Sequence, residues 1–132
     1  AVAIHERHGP LPGGAHGSTF GGGPLACAAA RAALRAYRDE GLPRQAAEKG
    51  AWLLERLRAL RLPAVREVRG LGLLVGIELR TRVQPALQAL LERGVLALPA
   101  GPTVLRLLPP LVISYDELGQ VVAALEAVLG SP

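Results

Sequence analysis

Apolar residues recur at helical spacing over long stretches of the chain. In residues 43–62 they return every three or four positions, and charged residues fill the opposite side, as on an amphipathic α-helix. The apolar face consists of Ala46, Gly50, Leu53, Leu54, Leu57 and Leu60. The same spacing predicts a final helix over residues 115–129, with Leu118, Val121, Val122, Leu125 and Val128 as its apolar stripe.

Helix boundaries are marked by capping and breaking residues. Pro24 suits the first position of a helix that runs to about residue 40, and Gly41-Leu42-Pro43 is a strong stop signal. Gly94 ends a third helix predicted over residues 85–93. Ser114, with Glu117 three residues later, predicts a capping box at the start of the last helix.

Shorter segments change to β-branched residues and to alternation of apolar and polar positions, which is typical of strands. Gly70-Leu71-Gly72 joins two of them, so we expect a hairpin or a bulged pair there. The predicted strands are residues 1–5, 65–68, 73–79, 95–98 and 104–108.

These elements predict an α+β fold, a small and largely antiparallel sheet with helices packed on it. We expect the loop and the long helix that precede it to belong to another structural unit. The predicted division is residues 1–41 and residues 42–132.

Composition excludes several classes of protein. The 132 residues can bury a core without disulfides, and the single cysteine, Cys27, favours a cytoplasmic protein and is expected to be buried among alanines. A net charge of +4 could favour nucleic acid, but the arginines are interleaved with glutamates and the four aromatic residues are scattered. We therefore expect a soluble protein that binds neither nucleic acid nor a membrane.

A glycine-rich loop precedes the first long helix and carries the clearest chemical signal. In Gly14-Ala15-His16-Gly17-Ser18-Thr19-Phe20-Gly21-Gly22-Gly23, glycines permit close approach of the backbone to a ligand, and adjacent hydroxyls can donate to an anion. Ser18 and Thr19 gain nothing as core residues, although an ordinary turn would explain them as well. The loop is not a P-loop, since no Gly-Lys-Ser or Gly-Lys-Thr follows, and no metal-ligand cluster is apparent.

The order His16-Gly17-Ser18-Thr19-Phe20-Gly21-Gly22-x-Pro24-Leu25-Ala26 resembles a cofactor-contacting segment of class III, fold type I pyridoxal phosphate aminotransferases. The acetylornithine and aminoadipate-semialdehyde transaminase group is the most similar. The resemblance implies that Thr19 binds the cofactor phosphate of the neighbouring subunit and that Ser18 contacts substrate. Gly23 departs from the asparagine usual in the family, which weakens the helix cap by a few tenths of a kcal/mol.

Arg106 is a second candidate because a charge is embedded in the apolar run Val104-Leu105-Arg106-Leu107-Leu108. Such a charge needs an anionic partner or access to a cleft, unless it lies at an edge facing solvent. The segment from Gly101 to Leu111 resembles the family segment whose arginine recognises a substrate carboxylate or holds a gating glutamate. Residues 68–79 resemble the family's small-domain hairpin, to which we assign only a structural role.

The resemblance also implies a lysine that forms a Schiff base with pyridoxal 5'-phosphate and an aspartate on the pyridine nitrogen. Lys49 is the only lysine, and its place on the flank of a helix favours a solvated side chain. In the family the catalytic lysine lies upstream of the segment that matches residues 1–4. We therefore expect a C-terminal part of the enzyme, with no catalytic residue of its own and no activity alone.

For the whole enzyme the resemblance implies a cytoplasmic homodimer. It would transfer a terminal amino group between an acetylornithine-like or carrier-bound lysine-like substrate and 2-oxoglutarate, in arginine or lysine biosynthesis. An alternative from another class is a free-standing α+β domain that binds a small carboxylate through Arg106 and the glycine-rich loop. A nucleic-acid module is a third and weaker alternative.

Overall fold

The computed structural model describes residue 9, residues 12–14 and residues 17–130. Its elements are α1 (Pro24–Asp39), α2 (Leu42–Ala59), β1 (Val65–Leu71), β2 (Leu74–Leu79), α3 (Gln84–Leu91), β3 (Leu98–Pro99), β4 (Val104–Leu107) and α4 (Tyr115–Leu129). The predicted strand at residues 1–5 lies outside the described residues. The chain divides into two compact units, Ala1–Gly41 and Leu42–Pro132.

Among the described residues of the first unit, the regular element is helix α1. It begins at Pro24 after Gly23, which caps the helix without a side-chain hydrogen bond, and it buries none of its residues. Cys27 is consequently exposed, contrary to the expected burial. Alanine-rich neighbours gave no information on burial, because alanine favours the helical backbone wherever the helix lies.

The second unit is the predicted small α+β fold, with a four-stranded antiparallel sheet in the order β1-β2-β4-β3. β1 and β2 form the expected hairpin, in which Leu71 pairs with Leu74 across a tight turn. Gly72 in that turn has a φ of +53°, a conformation that glycine adopts at little cost.

Alternation along the strands gives the sheet one core face and one open face. Val75, Ile77 and Leu79 of β2 are buried, as are Leu105 and Leu107 of β4. Helix α2 packs on the β1–β2 hairpin and against α4, and α4 contacts α3. The core therefore lies between the helices and one sheet face, which leaves the intervening strand residues on the opposite face.

The predicted strand over residues 95–98 is wrong in extent, because only Leu98–Pro99 pairs with β4. The amide of Val95 instead donates to the Leu90 carbonyl oxygen at 2.9 Å, which closes the end of α3. That hydrogen bond removes a donor that a longer β3 would have required.

Candidate functional site

The hydroxyl of Ser18 shapes the glycine-rich loop before α1. Its Oγ accepts a hydrogen bond from the Gly21 amide at 3.0 Å, which closes a local turn. Gly22, with a φ of +83°, then reverses the chain into the helix. Ser18 thus forms the ordinary turn that the sequence left open as an alternative. Its hydroxyl oxygen has a second lone pair that can accept a hydrogen bond from a ligand.

Thr19 is exposed on the same loop, and no hydrogen-bond partner for it is found among the residues that the structure describes. Its hydroxyl lies five residues before the start of α1. The first turn of α1 contains no acidic residue. An exposed hydroxyl and a helix start without acidic residues are both groups that favour a phosphate oxygen, so the chemistry of this loop fits the phosphate of pyridoxal phosphate. His16 of the motif lies outside the described residues.

Arg106 lies in β4 on the open face of the sheet. Its neighbours Leu105 and Leu107 point into the core, and its partners across the sheet are Gly76 of β2 and Leu98 of β3. The Nε atom is buried and has no hydrogen-bond partner within the described structure. Leaving a buried donor unpaired costs about 1–3 kcal/mol, so this guanidinium is suited to an acceptor supplied by a ligand.

The carboxylates near Arg106 on this face are already engaged by other arginines. Arg69 of β1 pairs through Nη1 with Glu67 Oε2 at 2.8 Å and with Glu78 Oε2 at 3.1 Å. Arg66 Nη1 pairs with the other oxygen of Glu78 at 3.2 Å. Hydrogen bonding to Glu78, together with the charge of Glu67, raises the pKa of Arg69. The acidic groups therefore compensate Arg66 and Arg69 and not Arg106.

An open groove of about 310 Å³ runs over the sheet between Arg69 and Arg106. Gly76 forms its floor, because Gly76 pairs with Arg69 on one side and with Arg106 on the other. Leu74 and Val104 add apolar walls. The groove thus combines one unpaired guanidinium with an apolar lining.

Lys49 is buried, with 8% of its surface exposed, contrary to the solvated position expected from the sequence. Its Nζ donates to Gln45 Oε1 at 3.2 Å and to the Leu111 carbonyl oxygen at 3.3 Å. The long aliphatic stem of lysine can pack against apolar residues while its ammonium reaches those oxygens. An amine held in this way is a structural donor, and not a free nucleophile.

Ser18 and Thr19 lie together in the first unit, and Arg106 lies in the second. The sequence analysis gave residues 68–79 only a structural role, so it assigned no binding role to Gly76 or to the Arg69–Glu78 pair. Strand alternation was the available signal, since it places Gly76 and Glu78 opposite the apolar residues of β2. In the described ranges, no group of three or more histidine, cysteine or acidic side chains could hold a metal ion. Nor does that part of the chain contain a helix of the length and apolarity needed to cross a membrane.

The family model described as aminotransferase class-III matches residues 3–129. The chain belongs to the class-III aminotransferase family. The chain is similar to the [LysW]-aminoadipate semialdehyde transaminase of Deinococcus radiodurans, with 52% identity over 122 residues, covering 92% of this chain and 28% of that protein. The ornithine aminotransferase of an Exiguobacterium species is 49% identical over 116 residues, covering 88% of this chain and 29% of that protein.

Solved structures of ornithine and acetylornithine aminotransferases share the fold. Ornithine aminotransferase from Toxoplasma gondii, in a structure described as having partial occupancy of PLP at its active site, matches with a TM-score of 0.80 and 36% identity. That match covers 91% of this chain and 30% of the other. Acetylornithine aminotransferase from Elizabethkingia anophelis matches with a TM-score of 0.79 and 37% identity over 90% of this chain and 33% of the other. The enzymes of this family depend on pyridoxal phosphate.

The chain therefore spans about a third or less of the length of these relatives. The predicted family, the α+β fold with its antiparallel sheet, and the cofactor class are confirmed.

Proposed function

We propose that the chain is the C-terminal part of an aminotransferase that moves a terminal amino group from an acetylornithine-like or carrier-bound lysine-like donor to 2-oxoglutarate. Residues 1–41 would end the large cofactor-binding domain, and residues 42–132 would form the small domain. The observation that carries the proposal is the Arg106 guanidinium, whose Nε is buried without a partner among the described residues. Both the oxo acid and an amino-acid donor offer the carboxylate that it lacks.

In this proposal Arg106 binds and orients the substrate. A guanidinium donates two parallel hydrogen bonds to a carboxylate and so fixes both its position and its plane. Such an anchor sets the distance between the carboxylate and the reacting carbon, which contributes to rate by positioning. The neighbouring pairs of Arg69 with Glu67 and Glu78 keep those acids from occupying Arg106.

Thr19 serves the cofactor and Ser18 the substrate. Bound pyridoxal phosphate supplies the carbonyl group and the electron-accepting ring that amino transfer requires. The exposed Thr19 hydroxyl donates to its phosphate, and the Ser18 hydroxyl lies one residue away for contact with substrate. The family resemblance assigns that phosphate to the neighbouring subunit, so we propose a homodimer with shared active sites. A cytoplasmic location is proposed from the single cysteine.

The donor is an amine at the end of an aliphatic chain. The 52% identity to an aminoadipate semialdehyde transaminase favours the carrier-bound substrate of lysine biosynthesis. Acetylornithine, of arginine biosynthesis, has the same reacting group. Rates with the two donors in the complete enzyme distinguish these substrates.

Thr19→Val in the complete aminotransferase tests the cofactor role. Valine keeps the shape of threonine but removes the donor, so the Kd for pyridoxal phosphate should rise about 10-fold, as for loss of a hydrogen bond to a charged group. Equilibrium dialysis of the cofactor measures this Kd. The matched control is Thr81→Val, at an exposed position in the second unit.

Unchanged cofactor affinity in Thr19→Val would contradict the assignment. The 132-residue chain alone is the negative control for turnover, since we propose that it contains no catalytic lysine. Glutamate formation by that chain from amino donor and 2-oxoglutarate would refute this part of the proposal.

A further inference from the structure

Gly76 lies between two arginine side chains on the open face of the sheet. Arg69, Gly76 and Arg106 are directly paired across β1, β2 and β4, so they form one row on the same face. Neighbouring strands are about 4.8 Å apart, which places the backbones of Arg69 and Arg106 about 10 Å from each other. Because Gly76 has no side chain, the groove between Arg69 and Arg106 stays open.

Neither the backbone nor the packing requires glycine at this position. Gly76 is not among the glycines with positive φ. A Cβ atom there would lie 3.7 Å from Val104 Cγ1 and 3.9 Å from Arg69 Cγ, which are ordinary van der Waals contacts. By contrast, a Cβ on Gly70 would lie 2.6 Å from the Leu74 carbonyl oxygen, so that glycine is required by packing.

Charge and lining together define what the groove can hold. The ion pairs of Arg69 leave the guanidinium of Arg106 as the uncompensated charge of the groove wall. Leu74, Val104 and Ala100 supply apolar surface beside it. One carboxylate attached to an aliphatic chain matches this combination.

We propose that Gly76 is a specificity-determining residue, whose missing side chain admits the aliphatic segment next to the carboxylate bound by Arg106. The inference rests on the proposed role of Arg106 and extends it. A methyl group at position 76 would project into the groove at the point where that segment lies. An enzyme with that methyl group would discriminate against carboxylates that are branched or bulky beside the carboxyl group.

The test compares Gly76→Ala, Arg106→Gln and Gly119→Ala in the complete aminotransferase. Gly119 lies in α4 with no atom within 4 Å of an added Cβ, so Gly119→Ala is a matched control for the glycine substitution. Steady-state kinetics with 2-oxoglutarate and each amino donor give KM and kcat separately. Thermal unfolding and cofactor content show whether each variant is folded and loaded.

We expect Gly76→Ala to raise the KM of the carboxylate substrate about 10-fold, as one extra methyl group does in a fitted pocket, with little change in kcat or Tm. Arg106→Gln should raise the same KM by about 10- to 100-fold. Gly119→Ala should leave both kinetic constants unchanged.

The variants distinguish failure of the Gly76 role from failure of the Arg106 role. A normal KM in Gly76→Ala beside a raised KM in Arg106→Gln overturns the role of Gly76 alone. A normal KM in both variants contradicts the carboxylate-binding role of Arg106 and overturns the inference with it. A lowered Tm in Gly76→Ala would also overturn it, because glycine would then be a packing requirement.

Discussion

Lys49 is buried, and Arg106 is half-buried with a buried Nε atom, yet the two residues differ in hydrogen bonding. Lys49 donates to Gln45 and to the Leu111 carbonyl oxygen, whereas the Nε of Arg106 lacks a partner within the described residues. A hydrogen-bonded buried donor is typical of a structural role, whereas an unpaired buried donor needs an explanation, for which we propose a ligand. The two residues therefore divide into a structural anchor and a candidate binding group.

The sequence predicts Arg106 as a candidate binding group but does not predict Lys49 as a structural anchor. Arg106 stands out because it interrupts an apolar strand. The burial of Lys49 depends on Leu111, which lies 62 residues away along the chain. Local periodicity places lysine at the edge of the apolar stripe of α2 but carries no information on so distant an acceptor.

Lys49→Met should destabilise the second unit by about 1–3 kcal/mol. Methionine preserves the aliphatic stem but leaves the Leu111 carbonyl oxygen without this donor. Urea unfolding followed by fluorescence of Trp52, the single tryptophan, measures the free energy of unfolding. Arg44→Met on the same helix removes an ion pair in which the Arg44 side chain is 77% exposed, and should change stability by less than about 0.5 kcal/mol. Equal effects of the two substitutions would contradict the anchoring role of Lys49.

At the scale of elements, local sequence predicts helix ends better than strand ends. The capping box of α4 is formed as predicted, with Glu117 N donating to Ser114 Oγ at 3.2 Å and Ser114 N donating to Glu117 Oε2 at 2.8 Å. All its atoms come from four consecutive residues. The length of β3 instead depends on whether the Val95 amide joins the sheet or closes α3, which only the packed structure decides.

The same capping box predicts a pH dependence. Hydrogen bonds from the Ser114 backbone amide and from its hydroxyl lower the pKa of Glu117 below its usual value of 4.5. Its contribution to stability is therefore complete above that value and is lost as the pH falls through the lower folded pKa, because the unfolded state then binds more protons.

Glu117→Gln should reduce the free energy of unfolding most at neutral pH, and the difference from the unsubstituted chain should shrink below pH 4.5. Unfolding curves across the acid range measure this difference. Glu126→Gln, in the last turns of α4, is the control. A difference between Glu117→Gln and the unsubstituted chain that does not vary with pH would show that the carboxylate charge is not what stabilises the cap.

At the scale of the whole molecule, the second unit is assembled by close contact between α2 and the hairpin. A Cβ on Gly50 would overlap the carbonyl of Gly72, so the two glycines let the helix lie directly on the hairpin turn. Both residues are visible in the sequence, but their pairing is not, because 22 positions separate them. The fold class follows from the order of elements, whereas this contact follows from tertiary packing.

The open face of the sheet is the surface to which we assign substrate binding. Helices cover the core face, while the face that carries Arg106 keeps a groove, an unpaired Nε and neighbouring acids that are already paired. In the proposed function, this face binds the carboxylate of the substrate. We thus propose that the second unit recognises the substrate and that the loop before α1 contacts the cofactor.

The most direct test is a crystal structure of the complete aminotransferase with 2-oxoglutarate or the amino donor bound. We expect a carboxylate oxygen within about 3 Å of Arg106 Nε, with the adjoining aliphatic segment over Gly76 and with Glu78 still paired to Arg69. A ligand carboxylate held by other residues, with Arg106 directed to solvent in the same crystal, would contradict the account.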